Sequence, residues 1–156
     1  MKANEGHIVN MSGVTGFWAS TPNRPGTAVS AAKFAVKGFT EALITDLKLN
    51  APQVKCSVVM PGHIGTSLLS NSRKIQSGSR SDTMSPPEIW FLQGAPMTAA
   101  LAATVILDGV KAERWRILVG DDAHRIDELV RQDPEHAYEA DFFHNVVKET
   151  GWRLGS

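Results

Sequence analysis

A serine and a lysine stand three positions apart in the stretch GTAVSAAKFAVKGF, residues 26–39. If this stretch is helical, Ser30 and Lys33 lie about one turn apart on the same face. A lysine at that distance can act as the base that activates a serine hydroxyl, as in some serine hydrolases and esterases. The same lysine could instead lower the pKa of a hydroxyl group one turn earlier, but that position is Val29, which has no proton to exchange. The stretch therefore offers either a hydrolase pair or a lysine without its proton donor.

Polar residues also follow the apolar runs of the chain. Ser12 comes directly after HIVNM, and His63 and Thr66 lie in PGHIGTS after VKCSVVM. Serines after strands usually bond to nearby backbone, and we predict this of Ser12. Histidine is a residue type that often serves in acid–base chemistry, but we predict that His63 is a histidine of a surface loop.

An acidic pair with a nearby histidine follows the third apolar run. Asp121, Asp122 and His124 have side chains of the kinds that bind metal ions. Acidic residues are equally typical of the first turn of a helix, where they interact with free backbone N–H groups. Since AHRIDELV follows them, we predict that the two aspartates stabilise a helix N-terminus and that the chain has no metal site.

Length and charge limit the classes of protein to which the chain can belong. Its 156 residues suit one domain with a sizeable core, and 16 Lys+Arg balance 16 Asp+Glu, so that no basic surface for nucleic acid is expected. No apolar stretch is long enough to cross a membrane, and MKANEGH lacks the apolar core of a signal peptide. The single cysteine, Cys56, cannot form an internal disulfide, which is typical of a reducing compartment. We therefore predict a cytoplasmic protein without nucleic-acid or membrane partners.

The hydrophobic pattern divides the chain into alternating strands and helices. Short apolar runs that end at Gly or Pro predict buried strands in GHIVNMSG, VKCSVVMPG and RWRILVG. Apolar residues at helical spacing predict a long helix from about Ala28 to Leu49 and another helix in TAALAATVILDGVKAE. The predicted apolar stripe of the long helix consists of Ala32, Val36, Phe39, Leu43 and Leu47.

The remaining segments complete a single predicted domain, 1–156. The polar segment 70–95 is typical of a mobile loop, with a short helix around PPEIWFLQG, and 97–120 supplies the last helix and strand. The tail 121–156 is predicted to contain one or two helices, interrupted at Pro134 and ended at Gly151. Three aromatic residues are predicted to pack this tail against the sheet: Phe142, Phe143 and Trp152.

The order strand, helix, strand, helix, strand predicts an α/β fold. About three parallel strands flanked by helices are expected, because parallel neighbours need crossover connections. Ligands of such sheets bind at the carboxyl ends of the strands. Those ends are NMSG, MPGHIGTS and VGDDAH, which brings the polar residues named above to one edge of the sheet.

Three motifs resemble, in the same order, signatures of the short-chain dehydrogenase/reductase family. They are GHIVNMSGVTG, SAAKFAVKGFTEAL and VKCSVVMPGHIGTSL, and they cover residues 6–69. The resemblance implies the C-terminal half of a Rossmann-type doubly wound domain, and the family reaction is oxidoreduction of alcohols and carbonyls with NAD or NADP and a small-molecule substrate. The family's glycine-rich pyrophosphate turn, TGxxxGxG, does not occur in the sequence.

The resemblance also implies the roles of the catalytic positions. In the family a tyrosine exchanges the proton of the substrate oxygen, and a lysine four positions later lowers the pKa of that tyrosine and holds the nicotinamide ribose. Lys33 matches this lysine, and Val29 stands at the tyrosine position. In NMSGVTG, Asn10 and Ser12 match the family pattern, but Gly13 stands where the catalytic serine usually is. The helix asparagine of the family tetrad has no counterpart in this chain.

The cofactor positions are better matched. PGHIGTSL is similar to the family motif PG-x-I-x-T, which borders the nicotinamide. Without the glycine-rich turn we expect binding of the nicotinamide end only. The cofactor-binding positions implied by the resemblance are Asn10, Lys33, Pro61, Gly62, Ile64 and Thr66.

The function expected from these positions is that of a truncated family member whose reaction is impaired or absent on its own. Two alternatives remain open: a hydrolase that uses Ser30 or Ser12 with Lys33, and a non-catalytic oligomerising remnant. In the family the strand HIVNM has a second neighbour that this sequence lacks, and the long helix contributes to subunit contacts. An open strand edge invites pairing with another chain, so we predict a homo-oligomer.

Overall fold

The structure, a computed structural model, describes residues 5–19, 26–78 and 80–152. Its strands are β1 (Gly6–Met11), β2 (Val54–Pro61), β3 (Ile64–Gly65), β4 (Met97–Thr98) and β5 (Arg116–Val119). Its helices are α1 (Thr27–Asn50), α2 (Leu68–Ser77), α3 (Pro86–Gln93), α4 (Ala99–Lys111), α5 (Asp121–Gln132) and α6 (Ala140–Thr150). A single 3₁₀ turn, Val14–Gly16, follows β1.

The main sheet has three parallel strands in the order β1-β2-β5. The register pairs Ile8 with Cys56 across β1 and β2, and Val59 with Ile117 across β2 and β5. The predicted α/β architecture with three parallel strands is therefore confirmed. Strands β3 and β4 form a second, two-stranded parallel sheet beside it, which the sequence pattern did not predict.

Both faces of the main sheet are covered. On one face α4 packs against alternate residues of β2 and β5, and the buried cluster there consists of Val59, Ile64, Ala102, Ile117 and Val119. On the other face α5 and α6 enclose an aromatic cluster with the turn after β1, made of Val14, Trp18, Ala123, Ile126, Ala137, Phe142, Val146 and Trp152. The predicted packing of Phe142, Phe143 and Trp152 is confirmed, with Phe143 partly buried against the cluster. The central strand β2 is accordingly the most buried, with Val58, Val59 and Met60 at 0% exposure.

Helix α1 has the predicted length but is rotated relative to the predicted apolar stripe. Its buried residues are Ser30 and Thr40, whereas Phe39, at the centre of the predicted stripe, is 63% exposed. The physical reason is a close approach between backbones. A Cβ atom at Gly16 would lie 2.9 Å from the carbonyl oxygen of Lys33, so that only small side chains fit between the helix and the turn after β1.

The segment predicted as a mobile loop contains two helices. Helix α2 was not predicted, because the serine-rich polar composition of its segment is also typical of loops. Helix α3 was predicted, and it begins with a capping box in which Ser85 and Glu88 each satisfy a backbone N–H of the other. In the tail, α5 ends at Gln132 before Pro134, and α6 ends before Gly151, which has a φ of +67°.

No helix in the described part of the chain is long and apolar enough to cross a membrane.

Candidate functional site

Two hydrogen bonds join the end of β1 to the middle of α1. The hydroxyl of Ser12 donates to the carbonyl oxygen of Lys33 at 2.8 Å, and the Lys33 ammonium donates to the carbonyl oxygen of Met11 at 3.0 Å. Ser12 is 3% exposed, so its hydroxyl is committed to the backbone. Ser12 was predicted to bond to nearby backbone, but its acceptor lies 21 positions away on α1, because the helix packs closely against the turn after β1. Lys33 is held at the carboxyl end of the sheet, with its amino group at the surface.

The position one helical turn before Lys33 is open to solvent. Val29 is 57% exposed and provides no donor or acceptor there. At Gly13, a Cβ atom would lie 3.6 Å from the carbonyl oxygen of Pro61, which is ordinary contact, and its φ of 163° is extended backbone. Both positions therefore have room for the hydroxyl-bearing side chains that the family usually carries, and neither has one.

Ser30 and Lys33 do not form the pair that their spacing suggested. Ser30 is 6% exposed, and its hydroxyl donates to the carbonyl oxygen of Ala19 at 3.2 Å. The Lys33 ammonium is bonded to Met11 instead. Because each side chain has a different partner, this structure gives no support to the hydrolase alternative.

Asn10 supports the helix. Its side-chain amide donates to the Thr40 hydroxyl at 3.0 Å, and that hydroxyl donates in turn to the carbonyl oxygen of Val36 at 2.6 Å. A residue for which the resemblance implied cofactor contact thus has an internal partner on α1.

The loop from Pro61 to Thr66 follows β2 and lies next to Gly13, where a Cβ atom would be 3.6 Å from the carbonyl oxygen of Pro61. The Gly62 N–H donates to the carbonyl oxygen of Val119 at 2.9 Å, and Ile64 is 8% exposed in the core. The Thr66 side chain is half-buried and has no hydrogen-bond partner within the described residues. A hydroxyl of this kind can both donate and accept a hydrogen bond, which are the two interactions that an amide group of a ligand can make.

His63 is a core residue, and the prediction of a surface loop histidine is wrong. It is 5% exposed, its Nε2 atom lies 2.8 Å from the carbonyl oxygen of Phe91, and its ring lies 4.5 Å from that of Phe91. Its Nδ1 atom is buried without a partner in the described part of the chain. The cause is α3, which covers the ring. The aromatic pair of Trp90 and Phe91 within a capped helix was the available sequence signal.

Asp122 was predicted to stabilise a helix N-terminus, and it does more than that. It is 3% exposed, and its carboxylate accepts a hydrogen bond from the N–H of Ala123 at 2.9 Å and another from the N–H of His63 at 2.6 Å. The first bond is the predicted one. The second bond connects α5 to the loop after β2. The sequence feature related to this bond is the pair of glycines at positions 62 and 120.

The described residues contain no group of three His, Cys, Asp or Glu side chains arranged to hold a metal ion. A cavity of about 600 Å³ lies at the opposite end of β2, lined by Cys56 and Trp115 together with residues of α1. Burial raises the pKa of the free Cys56 thiol. This cavity is remote from Lys33 and does not belong to the site.

The chain is similar in sequence to known proteins. Residues 1–77 match the family model described as short chain dehydrogenase. In two strains of Mycobacterium tuberculosis, the protein named "Putative oxidoreductase SadH" is 36% identical over 129 residues, which cover 83% of this chain and 45% of that protein.

Solved structures show the same relationship. A short chain dehydrogenase/reductase from Burkholderia phymatum in complex with NAD has a TM-score of 0.67 and 25% identity, and the match covers 85% of this chain and 49% of that chain. A short chain dehydrogenase from Burkholderia cenocepacia in complex with NADP has a TM-score of 0.60 and 23% identity, over 86% of this chain and 47% of that chain. The chain spans about half the length of these relatives. It belongs to the short-chain dehydrogenase family.

Proposed function

We propose that this chain forms the nicotinamide-facing half of a short-chain dehydrogenase site and that it does not carry out the family's alcohol–carbonyl oxidoreduction on its own. The reaction needs a group that gives a proton to the carbonyl oxygen while hydride reaches the carbon. The observation that carries the proposal is Val29, which is 57% exposed at the position of that group. Lys33 remains in place, but the side chain at position 29 has no hydroxyl for its charge to activate.

The ligand proposed for this site is the nicotinamide end of NAD or NADP. Relatives solved with each of these cofactors share the fold, which supports the class but not a choice between the two. When bound, the cofactor supplies the hydride. The chain's own contribution would be the Thr66 hydroxyl facing the carboxamide and the Lys33 ammonium beside the ribose. Since the sequence has no glycine-rich turn, we expect NAD and nicotinamide mononucleotide to bind with similar affinity.

A titration tests the chemical core of this proposal without needing turnover. In Val29→Tyr, the new phenol lies one turn from Lys33, and the cationic side chain should lower its pKa by about one unit from the ordinary value near 10. The phenolate absorbance of the variant, after subtraction of the unmodified chain with its single Tyr138, reports this pKa.

The matched control is Val29→Tyr combined with Lys33→Met, in which the pKa should return to about 10. Equal pKa values in the two variants would show that the lysine does not act on position 29. The purified unmodified chain should oxidise NADH or NADPH with carbonyl substrates no faster than buffer alone. Oxidation that is lost in Lys33→Met would overturn the proposal.

We also propose that the chain is a homo-oligomer. Within the described residues β1 pairs only with β2, which leaves one edge of the strand without a neighbour. Ile8 and Met11 on that strand are 38% and 46% exposed, and Phe34 and Phe39 on α1 are 42% and 63% exposed. Exposed apolar side chains beside an unpaired edge favour association with a further chain.

A further inference from the structure

A single buried carboxylate connects the loop after β2 to the C-terminal end of the described chain. Oxygen Oδ2 of Asp122 accepts a hydrogen bond from the backbone N–H of His63 and another from the indole Nε1–H of Trp152, both at 2.6 Å. Oxygen Oδ1 accepts from the N–H of Ala123 at 2.9 Å. Hydrogen bonds to an ionised acceptor are about twice as strong as neutral ones, and these three lie among residues that are buried or nearly so.

Two glycines make the space for this carboxylate. A Cβ atom at Gly62 would lie 2.2 Å from both oxygens of Asp122, and one at Gly120 would lie 2.3 Å from Oδ1. Gly120 also has a φ of +102°, which side-chain-bearing residues rarely adopt. Gly62, which follows β2, and Gly120, which precedes α5, are thus needed for the same reason, although 58 positions separate them in the sequence.

The carboxylate fixes the part of the loop that leads to Thr66. His63 stands between Gly62 and Ile64, so a bond to its N–H sets the direction in which the backbone leaves β2. The far side of the loop is held by the pairing of Ile64 with Met97. Asp122 is therefore the side chain that holds the part of the loop next to β2.

Trp152 connects Asp122 to the turn after β1. Its ring centroid lies 6.5 Å from that of Trp18, which follows the turn after β1. Trp18 is held by its own indole N–H, which donates to the carbonyl oxygen of Ala137 at 2.7 Å. The Trp152 side chain thus contacts both Asp122, which holds the loop after β2, and Trp18, which follows the turn after β1.

We propose that Asp122 is a positioning residue for the loop that binds the nicotinamide end, and that Trp152 makes the position of this loop depend on the C-terminal segment. The identity of the ligand rests on the proposed function, whereas the positioning itself does not. Asp122 acts through the backbone of His63 and does not touch the ligand.

The test compares Asp122→Asn with Asp121→Asn. The amide has the size of the carboxylate, but its NH₂ group cannot accept the bonds now made, and the charge that strengthens them is lost. We expect hydrogen exchange of the His63 amide to accelerate about tenfold or more, and the indole proton resonance of Trp152 to move upfield. Asp121 is exposed in the same helical turn, so its variant should leave both signals unchanged.

Two further variants separate positioning from general destabilisation. Trp152→Phe keeps an aromatic ring but removes the indole donor, and it should also accelerate exchange at His63. Val146→Ala weakens the same aromatic cluster without contacting Asp122, and it should lower the midpoint of unfolding while His63 exchange under native conditions stays unchanged. If Asp122→Asn does not fold, the Trp152→Phe result decides alone.

Binding of nicotinamide mononucleotide is the functional measurement. We expect its Kd to rise about tenfold in Asp122→Asn and to stay unchanged in Asp121→Asn and Val146→Ala. If the unmodified chain does not bind this probe, the proposed ligand is wrong, but the exchange measurement still decides the positioning. Unchanged His63 exchange in both Asp122→Asn and Trp152→Phe would overturn the inference.

Discussion

Gly62 and Gly38 differ in what surrounds the position of a missing methyl group. A Cβ atom at Gly62 would lie 2.2 Å from the Asp122 carboxylate, whereas at Gly38, in the middle of α1, nothing lies within 4 Å. The same substitution should therefore have opposite effects at the two sites. At Gly62 the buried carboxylate must move, and at Gly38 the helix gains propensity.

We expect Gly62→Ala to lower the free energy of unfolding by about 1–3 kcal/mol. Gly38→Ala should raise it by about 0.5–1 kcal/mol, because alanine loses less conformational entropy in a helix. Urea denaturation followed by circular dichroism measures both values. If Gly62→Ala were neutral, the carboxylate would not be fixed where we place it.

At the scale of elements, α2 and α3 are joined by an ion pair at the side of the site. The Arg73 Nε atom lies 2.7 Å from Oε1 of Glu88, and the Ser85 N–H donates to Oε2 at 2.6 Å. These contacts, with Arg73 first, lower the pKa of Glu88 to about 2. Helix α3 also covers His63, so this ion pair helps to keep the histidine ring buried.

This pair should give the α2–α3 contact a defined pH dependence. The folded state binds the Glu88 proton less readily than the unfolded chain, in which the pKa is near 4.5. The contribution of the pair to stability is therefore complete above about pH 4.5 and is lost as the pH falls toward 2. The protection factors of the α3 amides, which correct for the pH dependence of intrinsic exchange, should fall between pH 6 and pH 3 more in the unmodified chain than in Glu88→Gln.

The control for this prediction is Glu41→Gln, which removes the exposed pair with Lys37 on α1. Its pH dependence in α3 should be the same as that of the unmodified chain. An identical pH response of α3 in Glu88→Gln and the unmodified chain would contradict the assignment of the response to Glu88.

At the scale of the whole molecule, the open side of β1 and the exposed residues of α1 can be tested separately. Light scattering after gel filtration should give a mass above 16.9 kDa for the unmodified chain. Ile8→Lys places a charge on the edge strand, and Phe39→Lys places one on α1, so the variant that shifts the mass toward the monomer identifies the contact. Leu107→Lys, an exposed position of α4, is the control. A monomeric unmodified chain at high concentration would exclude the proposed association.

Local patterns were sufficient for the main-sheet strands and for part of the helices. The three strands of the main sheet and helices α1, α3 and α4 follow from apolar runs, helical spacing and terminators such as Pro61. These sequence features predict strands and helices because each depends on residues within one or two turns of one another. Helix α2 was missed because most of its side chains are polar, a composition that is also typical of loops. In the structure, α2 is joined to α3 by the ion pair between Arg73 and Glu88.

The sequence by itself determined that position 29 can take no part in proton transfer, because a valine side chain has no acid–base chemistry in any fold. Only the tertiary structure decided how the remaining residues are used. Ser30 and Lys33 are neighbours in sequence but bond to Ala19 and Met11, which lie on separate segments. His63 and Asp122 are 59 positions apart and share a hydrogen bond. Such pairings depend on how strands and helices meet in space, which the spacing of residues along the chain does not encode.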